Sequence, residues 1–191
     1  MTKRWKVDIM MLKKRERRRE MARILIAYAS KTGTARTCAE LLQKELTGLD
    51  VTLSDLERES PELKEYDVAV IGSSVRFGKI RGAAREYLKK NGDVLQKMPH
   101  GLFLCCGFGH EFEEYAQKQF TQELRESAFA TINFGGLLKL ENASLMEKFL
   151  LGRVRTMIRE SELEDGEYTP ELPSILPENI RRLATALRSK L

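Results

Sequence analysis

From Arg23 onward the chain alternates between two kinds of segment. Short runs rich in Val, Ile, Leu and Phe are followed by longer stretches with helical spacing. The runs are RILIAYA (23–29), DVTLSDL (50–56), DVAVIGSS (67–74), GLFLCCG (101–107) and AFATINFGG (128–136). Most are apolar at consecutive rather than alternate positions, so they need cover on both faces, as parallel strands inside a sheet do. The stretches between them supply that cover. TARTCAELLQKELT (34–47) places Ala39, Leu42 and Leu46 on one helical face and stops at Gly48. AAREYLKKN (83–91), EFEEYAQKQFTQELRES (111–127) and SLMEKFLLGRVRTMIRE (144–160) read as further helices. After a loop with Pro170 and Pro173, PENIRRLATALRSKL (177–191) opens on Pro177, which suits a first helical position. The expectation is a doubly wound α/β fold, with five parallel strands and helices on both faces.

Length and composition fit one domain over residues 21–191: the chain has 191 residues, of which 42% are hydrophobic. The formal charge of +5 is unevenly placed. Residues 1–20 hold nine Lys/Arg against three Asp/Glu, and the rest of the chain holds 24 against 25. The leader therefore has three readings: a solvated disordered tail, a polybasic arm for anionic lipid or nucleic acid, or a mis-assigned start. We expect the last, because the strand-like pattern begins right after Met21. The stretch Arg17-Arg18-Arg19-Glu20 is also what a purine-rich ribosome-binding site would encode if translated. With the leader set aside and a nearly neutral remainder, no nucleic-acid partner is expected. No apolar stretch approaches the ~18 residues of a membrane span, and no secretory signal follows the basic start. Cys38, Cys105 and Cys106 are an odd, sparse set, the pattern of a reduced cytoplasmic protein. Two histidines, His100 and His110, argue against a multi-histidine metal site, so no metal is expected.

Ligands of open α/β sheets sit at the carboxyl ends of the strands. Three turns there carry chemistry. The first is SKTGTART (30–37), which lacks the spacing of a Walker A or GxGxxG loop. Its hydroxyls either cap the following helix or join the helix N–H groups in holding a phosphate. A cap needs one hydroxyl, and this turn offers several. The second is GSSVRFGKIRG (72–82), with small residues, an aromatic and a glycine suited to a flat ring; Phe77 tucked into the core is the alternative. The third is CCGFGHEFEEY (105–115), where Gly107 and Gly109 flank Phe108; His110 reads as a helix-start residue rather than a catalytic base. A phosphorelay receiver is excluded, because Tyr28-Ala29-Ser30 replaces the paired acids it requires.

This constellation resembles the flavodoxin family, over most of residues 22–190. The resemblance implies a sheet order of 2-1-3-4-5 and an FMN cofactor. It implies that Ser30, Lys31, Thr32, Gly33, Thr34 and Ala35 wrap the phosphate. Ser73, Ser74, Val75, Arg76, Phe77 and Gly78 would border the ring on one side, and Cys106, Gly107, Phe108, Gly109 and His110 on the other. No catalytic residue is assigned, since the flavin would carry the chemistry. Within that family, VIGSSVRFGKIRGAAREYLKKN and FGGLLKL resemble the bacterial menaquinone-dependent protoporphyrinogen IX dehydrogenases. Two features depart from the pattern. Ala35 stands where a threonine is usual, with Thr34 or Thr37 as its substitute, and the segment between strands four and five is shorter than in the quinone-dependent enzymes.

Two functions follow from the resemblance. One is an FMN-dependent dehydrogenase passing electrons to quinone, with an anionic porphyrinogen as substrate and a peripheral contact at the inner face of the membrane. The other is a small electron carrier docking to protein redox partners. A flavodoxin-like fold without its flavin stays open as a third. Arg76, Lys79, Arg81, Arg85, Lys89 and Lys90 against Glu86 suit an anionic substrate or surface, or are the solvated face of the third helix.

Overall fold

The computed structural model describes residues 21–107, 111–136 and 174–191. Strands β1 (Arg23–Ala29), β2 (Asp50–Asp55), β3 (Val68–Arg76), β5 (His100–Cys105) and β6 (Ala130–Asn133) form a parallel sheet in the order β2-β1-β3-β5-β6. A two-residue strand, β4 (Lys79–Ile80), folds back antiparallel on the end of β3. Counting only the parallel strands, this is the expected order 2-1-3-4-5. The reversal of direction lies between β1 and β3, where both neighbours open a crevice at their carboxyl ends.

Alternate residues of the central strands feed two cores. Ile24, Ile26, Val68, Val70 and Phe103 point to one face, where helices α1 (Thr34–Glu45) and α5 (Pro177–Arg188) bury Leu42, Ile180, Leu183 and Leu187 on them. Leu25, Ala27, Ala69, Ile71, Leu102 and Leu104 point to the other. There α2 (Gly82–Leu95), α3 (Phe112–Gln119) and α4 (Gln122–Ser127) contribute Leu88, Leu95, Ala116 and Leu124. Each fully buried aliphatic side chain is worth about 2 kcal/mol of transfer free energy, so the two apolar faces hold the layers together.

Three expectations needed correction. The stretch 111–127 is two helices rather than one. Phe120 takes an extended conformation (φ −113°, ψ 137°) and drops into the core, and Thr121 then caps α4 by accepting the Leu124 N–H at 3.3 Å. The strand expected over 128–136 pairs only at Ala130–Asn133. Past it, Gly135 (φ +77°) turns the chain to bridge Ile175, and an added Cβ would lie 2.0 Å from the Ser174 carbonyl oxygen. The stretch 72–82, expected as a loop along a flat ring, contains a tight hairpin. Phe77 and Gly78 both have positive φ, 50° and 72°, the requirement of a type I′ two-residue turn. The leader, Phe108, Gly109, His110 and the helix expected over 144–160 lie outside the described residues.

Candidate functional site

The carboxyl edge of β1 leads straight into the hydroxyl-rich turn. Gly33 (φ +85°) is the residue before α1, and no side chain caps the helix from that position. Instead the Ala35 N–H donates to Ser30 Oγ at 3.2 Å, folding the turn back on itself. Ser30 accepts in that bond, so its own O–H proton stays available to an anion. The remaining first-turn N–H groups are those an α-helix leaves without intrahelical acceptors, at the positive end of its dipole. Capping accounts for Ser30 but not for its neighbour Thr34. The Thr34 side chain is only 3% exposed, and its Oγ1 has no hydrogen-bond partner among the described residues. A buried hydroxyl left unpaired costs about 1–3 kcal/mol. Thr32 is half-buried and Lys31 exposed on the same turn. Ala35, where the family pattern has a hydroxyl, is fully buried in the core that holds Cys38 and Leu42; of its two candidate substitutes Thr34 is buried with its hydroxyl unpartnered, and Thr37 is half-buried.

The hairpin after β3 projects beyond the sheet. Phe77 is 66% exposed at its tip, with the Arg76 guanidinium 5.7 Å from the ring centroid, so the core-tucked alternative does not hold. Ser73 is buried and internally engaged: its hydroxyl donates to the Ser74 carbonyl and accepts the Arg81 N–H at 3.0 Å. Ser74, Val75 and Arg76 are half-buried, and Val75 packs on the α2–α3 core. Arg81 pairs with Glu57 at 2.7 Å, both side chains partly shielded from water. The six cations of this region do not form one rim. Lys79 is on the hairpin, whereas Lys89 and Lys90 lie about 10 Å further along α2 at 1.5 Å per residue. Lys90 comes close enough to Glu62 to help lower that carboxyl's pKa, after the Lys64 contacts.

The loop after β5 begins with Cys106, buried, and Gly107, exposed. Cys105 ends the strand. A hydrogen bond with Cys38, followed by burial, raises its thiol pKa well above the ordinary value, so it stays protonated and inert. All three cysteines are buried. Sequence reasoning missed two side chains that frame this edge. Gln119, on α3, donates its amide N–H to the Gly78 carbonyl at 2.9 Å and accepts the Ile80 N–H at 3.3 Å, clamping the hairpin. Tyr115, one turn earlier, lies under Gly78: a Cβ there would be 3.5 Å from the ring. Its hydroxyl donates to Glu111, and that bond, ahead of desolvation, raises the phenol's pKa. Among the described residues no three His, Cys, Asp or Glu side chains gather in a metal site, and no helix is long and apolar enough to cross a membrane.

The switch-point turn, the hairpin and the Cys106–Gly107 start of the third loop thus lie on one edge of the sheet. The profile of the family described as "Flavodoxin domain" matches residues 25–164. The chain belongs to the flavodoxin-domain family. A solved flavodoxin from Streptococcus pneumoniae TIGR4 overlays with a TM-score of 0.52 at 16% identity, covering 89% of this chain and all of that one, a likeness in fold. The proteins named "Protoporphyrinogen IX dehydrogenase (quinone)" from Escherichia coli strains K12 and O157:H7 are each 33% identical over 82 residues. That stretch is 41% of this chain and 45% of each relative, so the chain matches less than half the length of either. The expected flavodoxin-like sheet order and this kinship are both borne out.

Proposed function

We propose that this flavodoxin domain binds FMN and acts as an oxidoreductase that passes electrons from a reduced porphyrinogen to a quinone. The observation that carries the cofactor part is Thr34: a buried, unpartnered hydroxyl at the positive end of α1, in a turn whose glycine and serine are already arranged around it. A phosphate is the ligand that chemistry fits, with several acceptor oxygens and a charge complementary to the helix terminus. Family membership supports FMN as its bearer. Ser30, Thr32 and Thr34 would donate to the phosphate, and Thr34 takes the place of the hydroxyl missing at Ala35. The hairpin around Phe77 and the Cys106–Gly107 backbone would flank the ring. When bound, FMN supplies the reversible two-electron acceptor that links substrate oxidation to quinone reduction. The chain's own work is to hold the cofactor and attract the substrate. Arg76 and Lys79 on the hairpin suit the carboxylates of a porphyrinogen, the substrate named for the curated relatives. A quinone acceptor dissolves in the bilayer, so this reading places the protein in the cytoplasm, peripherally at the inner face of the membrane.

The visible spectrum of the purified protein, with FMN titration followed by fluorescence quenching, tests the cofactor. Absence of flavin bands and of saturable quenching overturns the reading. Rescue of a haem-auxotrophic strain then tests the reaction. Failure to rescue, with fast electron exchange to a flavodoxin reductase, assigns the chain to the electron carriers instead.

Thr34→Val separates phosphate binding from folding. Replacing an unpaired buried hydroxyl by a methyl leaves the apo-protein as stable, or more stable by up to about 1 kcal/mol. The same change removes a hydrogen bond to a charged oxygen, worth about 1.5–3 kcal/mol, so FMN affinity falls roughly tenfold to a hundredfold. Urea unfolding and FMN titration measure the two effects. Unchanged affinity would move the phosphate away from Thr34.

A further inference from the structure

Asn133 is the last residue of β6 and, among the described residues, one of the few buried polar ones, 7% exposed. Its amide oxygen accepts two backbone N–H groups from different loops: Cys106, in the loop after β5, at 3.2 Å, and Gly135, in the turn after β6, at 2.9 Å. An amide oxygen has two lone pairs, and both are used. The main-chain oxygen of Asn133 accepts the Asn179 side-chain N–H at 2.7 Å, tying the same point to α5. Next to this junction the two loops touch backbone to backbone. A Cβ on Gly136 would lie 2.7 Å from Gly107 N and 2.8 Å from Gly107 Cα. Across the sheet, Cys105 is in register with Ser74 at the base of the Phe77 hairpin. The Cys106–Gly107 peptide therefore leaves the sheet beside the base of the hairpin, and Asn133 and Gly136 fix its path.

We infer that Asn133 is the positioning residue for the isoalloxazine side of the site: its amide oxygen holds the Cys106–Gly107 backbone at the separation from the Phe77 hairpin that a flat ring requires. This rests on the FMN reading above. Nothing in the residue's chemistry reaches the phosphate turn, so its effect is confined to the ring. Asn133→Leu keeps the approximate volume and removes the acceptor. It loosens Cys106 and Gly135 together, because one oxygen serves both. Asn133→Asp keeps an oxygen in the same place.

The test compares the binding of FMN with that of riboflavin, which has the ring without the phosphate, and records the visible spectrum of bound FMN. In Asn133→Leu both affinities are expected to fall by the same factor, at least tenfold, with an altered flavin band shape at saturation. Asn133→Asp is expected to restore most of the affinity and the wild-type band shape. Gly136→Ala pushes Gly107 away without touching Asn133, so the same joint loss is expected there. It carries the test if Asn133→Leu does not fold. A loss of stability in folded Asn133→Leu, with both affinities and the spectrum unchanged, overturns the inference by reducing Asn133 to a structural bond. So does a loss confined to FMN, or an Asp variant no better than Leu. Wild-type protein that binds neither flavin overturns the FMN reading itself, an outcome distinct from the others.

Discussion

Gly72→Ala is expected to destabilise the protein by about 3 kcal/mol, the upper end of the usual cost of overpacking. A Cβ at Gly72 would meet Phe103 Cε1 and Cζ at 2.0 Å and Cδ1 at 2.3 Å, where carbon atoms prefer about 3.5–4.0 Å. The two residues are partners across β3 and β5, so the clash is set by strand register and no side-chain rotation of an alanine relieves it. Phe103 cannot retreat easily. It is fully buried and stacked on Phe134, with ring centroids 4.5 Å apart and planes 15° from parallel. A loss of that size is a large share of the ~5–15 kcal/mol that holds a domain together. For a chain of this length it lowers the melting temperature by roughly 6–12 °C. Urea and thermal unfolding of the apo-protein measure it. The double variant Gly72→Ala/Phe103→Leu identifies the cause: trimming the ring makes room, so the combined loss should be well below the sum of the two single losses. A single-variant cost under about 0.5 kcal/mol, or additive losses, would mean that Phe103 does not lie over Gly72.

The example shows which parts of the molecule were legible in the sequence. The consecutive apolar residues of RILIAYA and GLFLCCG report burial on both faces, a local property, and both became interior strands. Pro177 and the Ile180, Leu183, Leu187 spacing report one helix with one buried face, and α5 is that helix. The hydroxyl turn was legible as a ligand-binding candidate because its residue types exceed what a cap consumes. What escaped depends on partners distant in the chain. Gln119 reads as one more polar residue of an amphipathic helix until Gly78, 41 residues away, is placed beside it. Asn133 looks like an interruption of a strand until Cys106, 27 residues away, donates to it. The hairpin was hidden for a different reason. Type I′ turns favour Asn or Gly at both central positions, and Phe77 at φ 50° defies that preference, so only Gly78 signalled a turn. A bulky residue held at positive φ with its ring in solvent is poor for folding. Its presence at the opening of the candidate site is a local conflict of the kind that function leaves in a sequence.

Thr32→Glu is expected to weaken FMN binding by about a thousandfold and leave the fold intact. Thr32 is half-buried in the turn between β1 and α1, beside Gly33 and two residues from Thr34, so a carboxylate there shares the space proposed for the phosphate. Two unit charges 4 Å apart at an effective dielectric of about 20 repel by about 4 kcal/mol, which is three decades in affinity. The change also deletes a hydroxyl donor. The folded apo-protein feels little of this. Thr32 lies outside both apolar cores, and the new carboxylate sits near the positive end of α1, where a negative charge is favourable by about 0.3–1 kcal/mol. Unfolding of the apo-protein should therefore be unchanged or slightly harder while the flavin is lost, a pairing that general damage does not produce. Riboflavin sharpens the result. It has no phosphate for the carboxylate to repel, so its affinity should change less than tenfold in the same variant. Thr32→Gln, neutral and of similar size, should retain most of the FMN affinity that Glu removes. If Gln and Glu weaken FMN equally, the turn responds to bulk rather than charge, and the phosphate belongs elsewhere on the sheet edge.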